Sequence, residues 1–239
     1  MELQKISQGF LEDARRAFGD LLKALCLFGS AARSEWIRKR SDLNFLLVLE
    51  EKGSEELEKA FGLVKRWSKK GVAIPLILTE EDIRRSLDVF PLEFLDMKLF
   101  HVTLFGEDPL HDLEIDRGAL RLQCEREAKG KLLLLEEAYI ATAGREKHIR
   151  AVVQQSIKAF LAIFQGALWL LGKDIPIKRE TLIIEASRDL GLRGDPFLWA
   201  YRLKTGDIKP QKGELIPRIR EYIKEAKRLS DWIDRYGEA

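Results

Sequence analysis

The stretch that decides the fold runs from Leu27 to Glu50: LFGSAARSEWIRKRSDLNFLLVLE. Its start completes the apolar run ALCLFG, which reads as a buried strand ended by Gly29, and NFLLVLE reads as a second strand. Gly29 lets the backbone turn tightly and lets a ligand approach without meeting a Cβ. Ser30 can cap a following helix and can also donate its hydroxyl to a phosphate oxygen. Asp42 and Asn44 stand at i and i+2, so they project from the same face of the second strand. Two carboxylates at such positions would hold one or two Mg²⁺ ions against a triphosphate. Here the second position carries the only asparagine of the chain.

Outward from this stretch, residues 3–23 place Leu3, Ile6, Phe10, Ala14, Ala17, Phe18 and Leu21 near helical spacing. After the second strand, GSEELEKAFGLVKRWSKKG predicts one helix from a Ser54 cap to Gly71. VAIPLILT predicts a third strand, and Pro75 inside it predicts an edge position or a bulge. TEEDIRRSLDVF begins with Thr79 at a cap position and acidic residues in the first turn, so a helix follows that strand at once. LFHVTLFGEDPL predicts a last strand. From about Arg117 the pattern turns helical: two long segments end at Gly144 and Gly172, as helix C-termini should, and three more follow. The second long segment is apolar nearly all round between Ile157 and Leu171, which marks a central helix. Strands alternating with helices, then helices alone, predict an α/β domain over 1–112 and a helical domain over 117–239.

Composition narrows the function classes. The net charge is +2, with 17 basic against 20 acidic residues over 1–112 and 24 against 19 over 113–239. Gross electrostatics therefore do not announce a nucleic-acid partner. The longest apolar run, AFLAIFQGALWLLG, is too short for a membrane span. Cys26 and Cys124 match no metal spacing and read as buried, reduced thiols, which with the absence of a signal-like start predicts a cytoplasmic protein. Scarce Asn, Cys and Met beside abundant Lys, Arg and Glu predict a thermophilic source. His101, His111 and His148 do not cluster. Arg38, Lys39 and Arg40 read as a solvated loop or, beside the motif, as an attractor for a triphosphate.

Gly29-Ser30, then Arg33, then Ser41-Asp42-Leu43-Asn44 before an apolar strand resembles the nucleotidyltransferase superfamily typified by DNA polymerase beta. Within it, the chain looks like the small prokaryotic members and the aminoglycoside nucleotidyltransferases, which join such a domain to a helical bundle. The resemblance implies an α/β (α+β) domain with a mixed sheet followed by an all-α bundle. It also implies transfer of a nucleoside monophosphate from a nucleoside triphosphate to a hydroxyl of a small-molecule or protein acceptor. Gly29 and Ser30 would hold nucleotide phosphates, and Arg33 and Ser41 would support the loop or touch phosphate. Asp42 would be the catalytic metal ligand, with Asn44 in the place of the second carboxylate, so Mg²⁺ would meet a weakened site. The third acid of the family has no counterpart on VAIPLIL; Glu80, Glu81, Glu93 and Asp96 are the nearby acids. The alternative is a catalytically inactive relative, a nucleotide-binding or protein-interaction module. No membrane partner is expected, and a homodimer is left open. Arg145 and His148 lie too close together for the ribonuclease motif of the HEPN bundles that accompany small nucleotidyltransferases.

Overall fold

A computed structural model describes residues 2–37 and 41–236. The chain divides into two compact units, Met1–Ile115 and Asp116–Ala239.

The first unit is built on four strands: β1 (Leu22–Phe28), β2 (Asn44–Leu49), β3 (Leu76–Thr79) and β4 (His101–Phe105). Their order across the sheet is β3-β2-β1-β4. β1 pairs antiparallel with β2 and with β4, whereas β2 and β3 run parallel, so the sheet is mixed. The two central strands carry continuous apolar runs because both of their faces are covered. On one face Leu25, Leu27, Phe45, Leu47 and Leu49 meet Phe10, Ala14 and Phe18 of α1 (Glu2–Phe18) and Trp67 of α2 (Ala60–Trp67). The Phe10 ring stacks on Phe45 at 4.2 Å and receives the edge of Trp67 at 5.8 Å. Such ring pairs add about 0.5–1.5 kcal/mol beyond the area they bury. The indole N–H of Trp67 donates to Asp13 of α1 at 2.9 Å, which satisfies its one polar atom. The alternate residues Cys26, Leu46 and Val48 are equally buried on the opposite face.

Pro75 precedes β3 and lies outside it, and β3 is an edge strand as the proline requires. Thr79 caps α3 (Glu80–Ser86) through a reciprocal capping box with Asp82. Two elements differ from the sequence reading. The single helix expected from Ser54 to Gly71 is broken: 3₁₀ turns occupy Glu51–Glu55 and Leu57–Lys59 before α2 begins. Glu56, with φ −118° and ψ 38°, is outside the helical region and interrupts the hydrogen-bond ladder. A further helix, α4 (Pro91–Leu99), stands where the last strand was expected to be approached, with Pro91 at its start. Pro91, Leu92, Phe94, Leu95 and Met97 are all buried, so the segment shows no single apolar stripe to read.

The second unit is all helical: α5 (Arg117–Ala141), α6 (Glu146–Leu170), α7 (Arg179–Asp189), α8 (Asp195–Thr205) and α9 (Leu215–Arg235). α6 is its centre, packing against α5, α7, α8 and α9. Phe160 and Phe164 of α6 form an aromatic cluster with Phe197 and Tyr222. At 25 residues α6 is much longer than the apolar run read from the sequence. By length and composition it could cross a membrane, but more than half of its apolar window is buried among its neighbours, as in the core helix of a soluble protein. Cys26 and Cys124 are buried, and among the described residues neither is in a disulfide.

Candidate functional site

β1 ends at Phe28, paired with Asn44 at the start of β2, so the turn after β1 and the entry to β2 lie side by side. Gly29 adopts φ +76°, a left-handed conformation that favours glycine. Its α-carbon faces Asn44 closely: a Cβ there would lie 2.9 Å from the Asn44 amide nitrogen. Residues 29–31 form one 3₁₀ turn rather than a full helix. The turn is closed by the Arg33 amide donating to the Gly29 carbonyl and the Glu35 amide donating to the Ser30 carbonyl at 2.9 Å.

The Ser30 and Asn44 side chains are partly exposed, and among the described residues neither makes a hydrogen bond. Leu43 is fully buried in the α1-side core, so Asp42 and Asn44, on either side of it, face the other way. Asp42 is exposed and stands just before β2, separated from it by Leu43, whose backbone bridges to Val72. Gly29, Ser30 and Asn44 are thus brought together at one edge of the turn, with Asp42 two residues from Asn44 on the same face.

Arg33 and Ser41 do different work. The Arg33 side chain is fully buried, ion-paired to Asp96 of α4 at 2.5 Å, with its guanidinium 3.3 Å from the Phe100 ring centroid. It fastens the turn to α4 from beneath, and Asp96 is consumed in that pairing. Ser41 closes the preceding loop: its amide donates to the Ile37 carbonyl, and its own carbonyl accepts from the Trp36 indole at 2.9 Å. Arg38, Lys39 and Arg40 lie outside the described residues. The other acids near the third strand are engaged or turned outward. Glu80 pairs with Lys23 at 2.9 Å, Glu81 with Arg84 and Arg85, and Glu93 is exposed.

Among the described residues, no three Asp, Glu, His or Cys side chains converge to hold a metal ion. On this face Asp42 offers one carboxylate and Asn44 one neutral amide oxygen. A cavity of about 790 Å³ opens at the opposite end of the sheet, lined by Lys23, Glu50, Glu80, Glu107 and Asp108 among others, and none of the motif residues reaches it.

The comparison with family models follows this geometry. Residues 8–98 match the nucleotidyltransferase domain. That span takes in the greater part of α1, then α2, α3 and α4 up to residue 98 with the first three strands, and it contains every motif residue of this nucleotidyltransferase-like domain. Among solved structures, the chain is similar to the spectinomycin adenyltransferase AAD(9) from Enterococcus faecialis, determined with ATP and spectinomycin. The likeness has a TM-score of 0.57 at 13% identity and covers 94% of this chain and 99% of the other. At that identity the likeness establishes shared fold, including a helical second part. No curated protein sequence matches the chain.

The residue that reading the sequence missed is Asp96 as the partner of Arg33. The two lie 63 positions apart, and α4, which carries Asp96, has no clear periodicity. No local signal marks Arg33 as buried; a fully buried guanidinium requires an acid or carbonyl partner, and only the fold supplies it.

Proposed function

We propose that the turn at Gly29 and Ser30 holds the phosphates of a nucleoside triphosphate, and that the reaction class is transfer of a nucleoside monophosphate to a hydroxyl of a small-molecule acceptor. In such a transfer the acceptor oxygen bonds to the α-phosphorus, the bond to the β-phosphate oxygen breaks, and pyrophosphate leaves as the hydroxyl loses its proton. The observation that carries this reading is the turn itself: a left-handed glycine, an uncommitted serine hydroxyl and an exposed aspartate gathered at the joint of β1 and β2. Small side chains there leave room for a phosphate, and Ser30 can donate to its oxygens. Buried Arg33 holds the turn in shape. The family match over residues 8–98 supports the same class.

A second reading, nucleotide binding without transfer, is favoured by Asn44. Its neutral amide occupies the place where a second carboxylate would sit, and no cluster of acids compensates among the described residues. Calorimetric titration with each of the four ribonucleoside triphosphates, with and without Mg²⁺, separates the readings when paired with an assay for release of pyrophosphate. Metal-dependent binding with pyrophosphate release supports transfer. Binding that ignores Mg²⁺ and releases nothing supports the second reading, and no binding at all removes both. Asn44→Asp restores a carboxylate pair. It should tighten Mg²⁺ binding about tenfold, the size of one charged ligand contact. Unchanged Mg²⁺ affinity would mean that the position no longer belongs to a metal site.

A further inference from the structure

The last strand of the first unit opens with a histidine that has an acceptor at each ring nitrogen. The His101 side chain is only 10% exposed, so water reaches little of the ring. Its Nδ1 lies 2.8 Å from the Met97 carbonyl in the last turn of α4. Its Nε2 lies 2.9 and 3.0 Å from the two carboxylate oxygens of Asp108. Asp108 belongs to the segment 106–115, which leads from β4 towards α5. Gly106, in the left-handed region at φ +78°, turns the chain there. The Asp108 carboxylate also accepts the Leu110 amide at 2.9 Å. Lys98 of α4 donates to the Leu113 carbonyl further along, and Leu110, Leu113 and Ile115 are buried.

The partners of His101 fix its protons. A carbonyl oxygen only accepts, and so does an ionised carboxylate. A neutral imidazole has one N–H to give and can satisfy one of them. Asp108 cannot stand in as the donor, because it is held ionised. Burial works to raise its carboxyl, but the Leu110 amide and His101 outweigh that and hold it below the ordinary carboxylate range. The ring that satisfies both partners is therefore the doubly protonated cation. The other titratable groups on the elements around it are engaged or neutral. On α4, Asp96 pairs with Arg33. On β1, burial pushes the Cys26 thiol up to about 11, and Lys23 bonds to Glu80 and feels the charge of Glu107. In the segment, His111 pairs with Asp112 at 2.6 Å, with both side chains exposed.

We propose that His101 is a pH-sensitive clasp: with both nitrogens protonated it ties the end of α4 to segment 106–115, and loss of one proton as pH rises opens it. Whichever nitrogen gives up its proton, a lone pair then faces an acceptor, so one end of the bridge parts. The closed form binds a proton that the open form releases, so raising the pH favours opening. Histidine is the side chain whose charge changes between about pH 5 and 8, which sets the range to search.

The test uses the full chain labelled with nitrogen-15. Long-range proton–nitrogen spectra of the histidine rings should show both His101 nitrogens protonated at the acid end of that range and one unprotonated at the alkaline end. Exchange of the Leu110 amide, divided by its intrinsic rate at each pH, should rise about tenfold over the same titration, the weight of one charge-assisted hydrogen bond. Asp108→Asn supplies an amide that can donate to a neutral Nε2, so its exchange profile should be flat. His111→Gln removes the neighbouring histidine and should keep the parent's profile. The proposal is overturned if His101 carries an unprotonated nitrogen at the acid end, or if Leu110 exchange follows the intrinsic rate throughout. It is equally overturned if Asp108→Asn keeps the parent's dependence or if His111→Gln loses it.

Discussion

Replacing Gly29 by alanine tests how the turn is built. Two costs are in play. The backbone at φ +76° would have to carry a Cβ in the left-handed region, a cost of about 1–2 kcal/mol. The new Cβ would also lie 2.9 Å from the Asn44 amide nitrogen. That nitrogen is the far end of a partly exposed side chain with no hydrogen bond among the described residues, so it can rotate away at little cost. The backbone term should therefore dominate, and Gly29→Ala should lose about 1–2 kcal/mol. Urea unfolding of the parent, Gly29→Ala, Asn44→Ala and the double variant gives each term. If the reasoning holds, Asn44→Ala recovers less than about 0.5 kcal/mol of the loss, the usual limit of additivity for uncoupled changes. Full recovery in the double variant would show that the amide contact, not the backbone, sets the cost. A loss near zero would show that the turn does not need its glycine. ATP affinity should fall with Gly29→Ala in either case, because the methyl occupies the approach to the turn.

The Arg33–Asp96 pair offers a larger effect. Asp96→Asn takes the carboxylate from a buried guanidinium and should cost about 3–5 kcal/mol, whereas Arg33→Met with Asp96→Asn together should cost less than the sum of the single changes, read from chemical denaturation. Acid should weaken the first unit through two aspartates. Asp82, held by the Thr79 amide and hydroxyl, lies below its ordinary value. For Asp108 burial works the other way, but the Leu110 amide and His101 outweigh it and again lower the carboxyl. A lowered carboxylate stabilises above its unfolded value, and the gain is lost as pH falls through the folded one. Melting temperature should therefore drop below about pH 4, and less steeply in Asp82→Asn and Asp108→Asn. Lys204 gives a slope of the same sign, at alkaline pH. With its folded pKa at about 8 against an ordinary 10.5, stability of the helical unit should rise between those two pH values, and Lys204→Gln should flatten the rise.

What could be read from the sequence was local chemistry. Gly29 and Ser30 declared a turn because only glycine takes that backbone cheaply. Pro75 declared an edge because it has no amide to give to a ladder. Thr79 ahead of an acidic first turn declared a helix start, because a threonine hydroxyl and nearby carboxylates satisfy the free amides there. Segments whose structure depends on tertiary surroundings were illegible. α4 is buried on several sides and therefore shows no period, and the 51–59 segment is broken by the backbone of one glutamate rather than by a glycine or proline. In the site, Asp42, Asn44 and the turn were visible together because they are close in sequence. The clamp beneath them was not, because Arg33 finds Asp96 only through the fold.

The central position of α6 bears on how the protein is made. Of the four helices that cover it, only α5 precedes it in the chain. A ribosome emits residues from the N-terminus onward, at about 5–20 per second. For several seconds, then, the apolar second half of α6 is made while α7, α8 and α9 do not yet exist to cover it. During that interval the nascent chain presents the kind of segment that membranes and chaperones recognise. The helix that organises the finished unit is therefore also its point of greatest exposure while it is being synthesised.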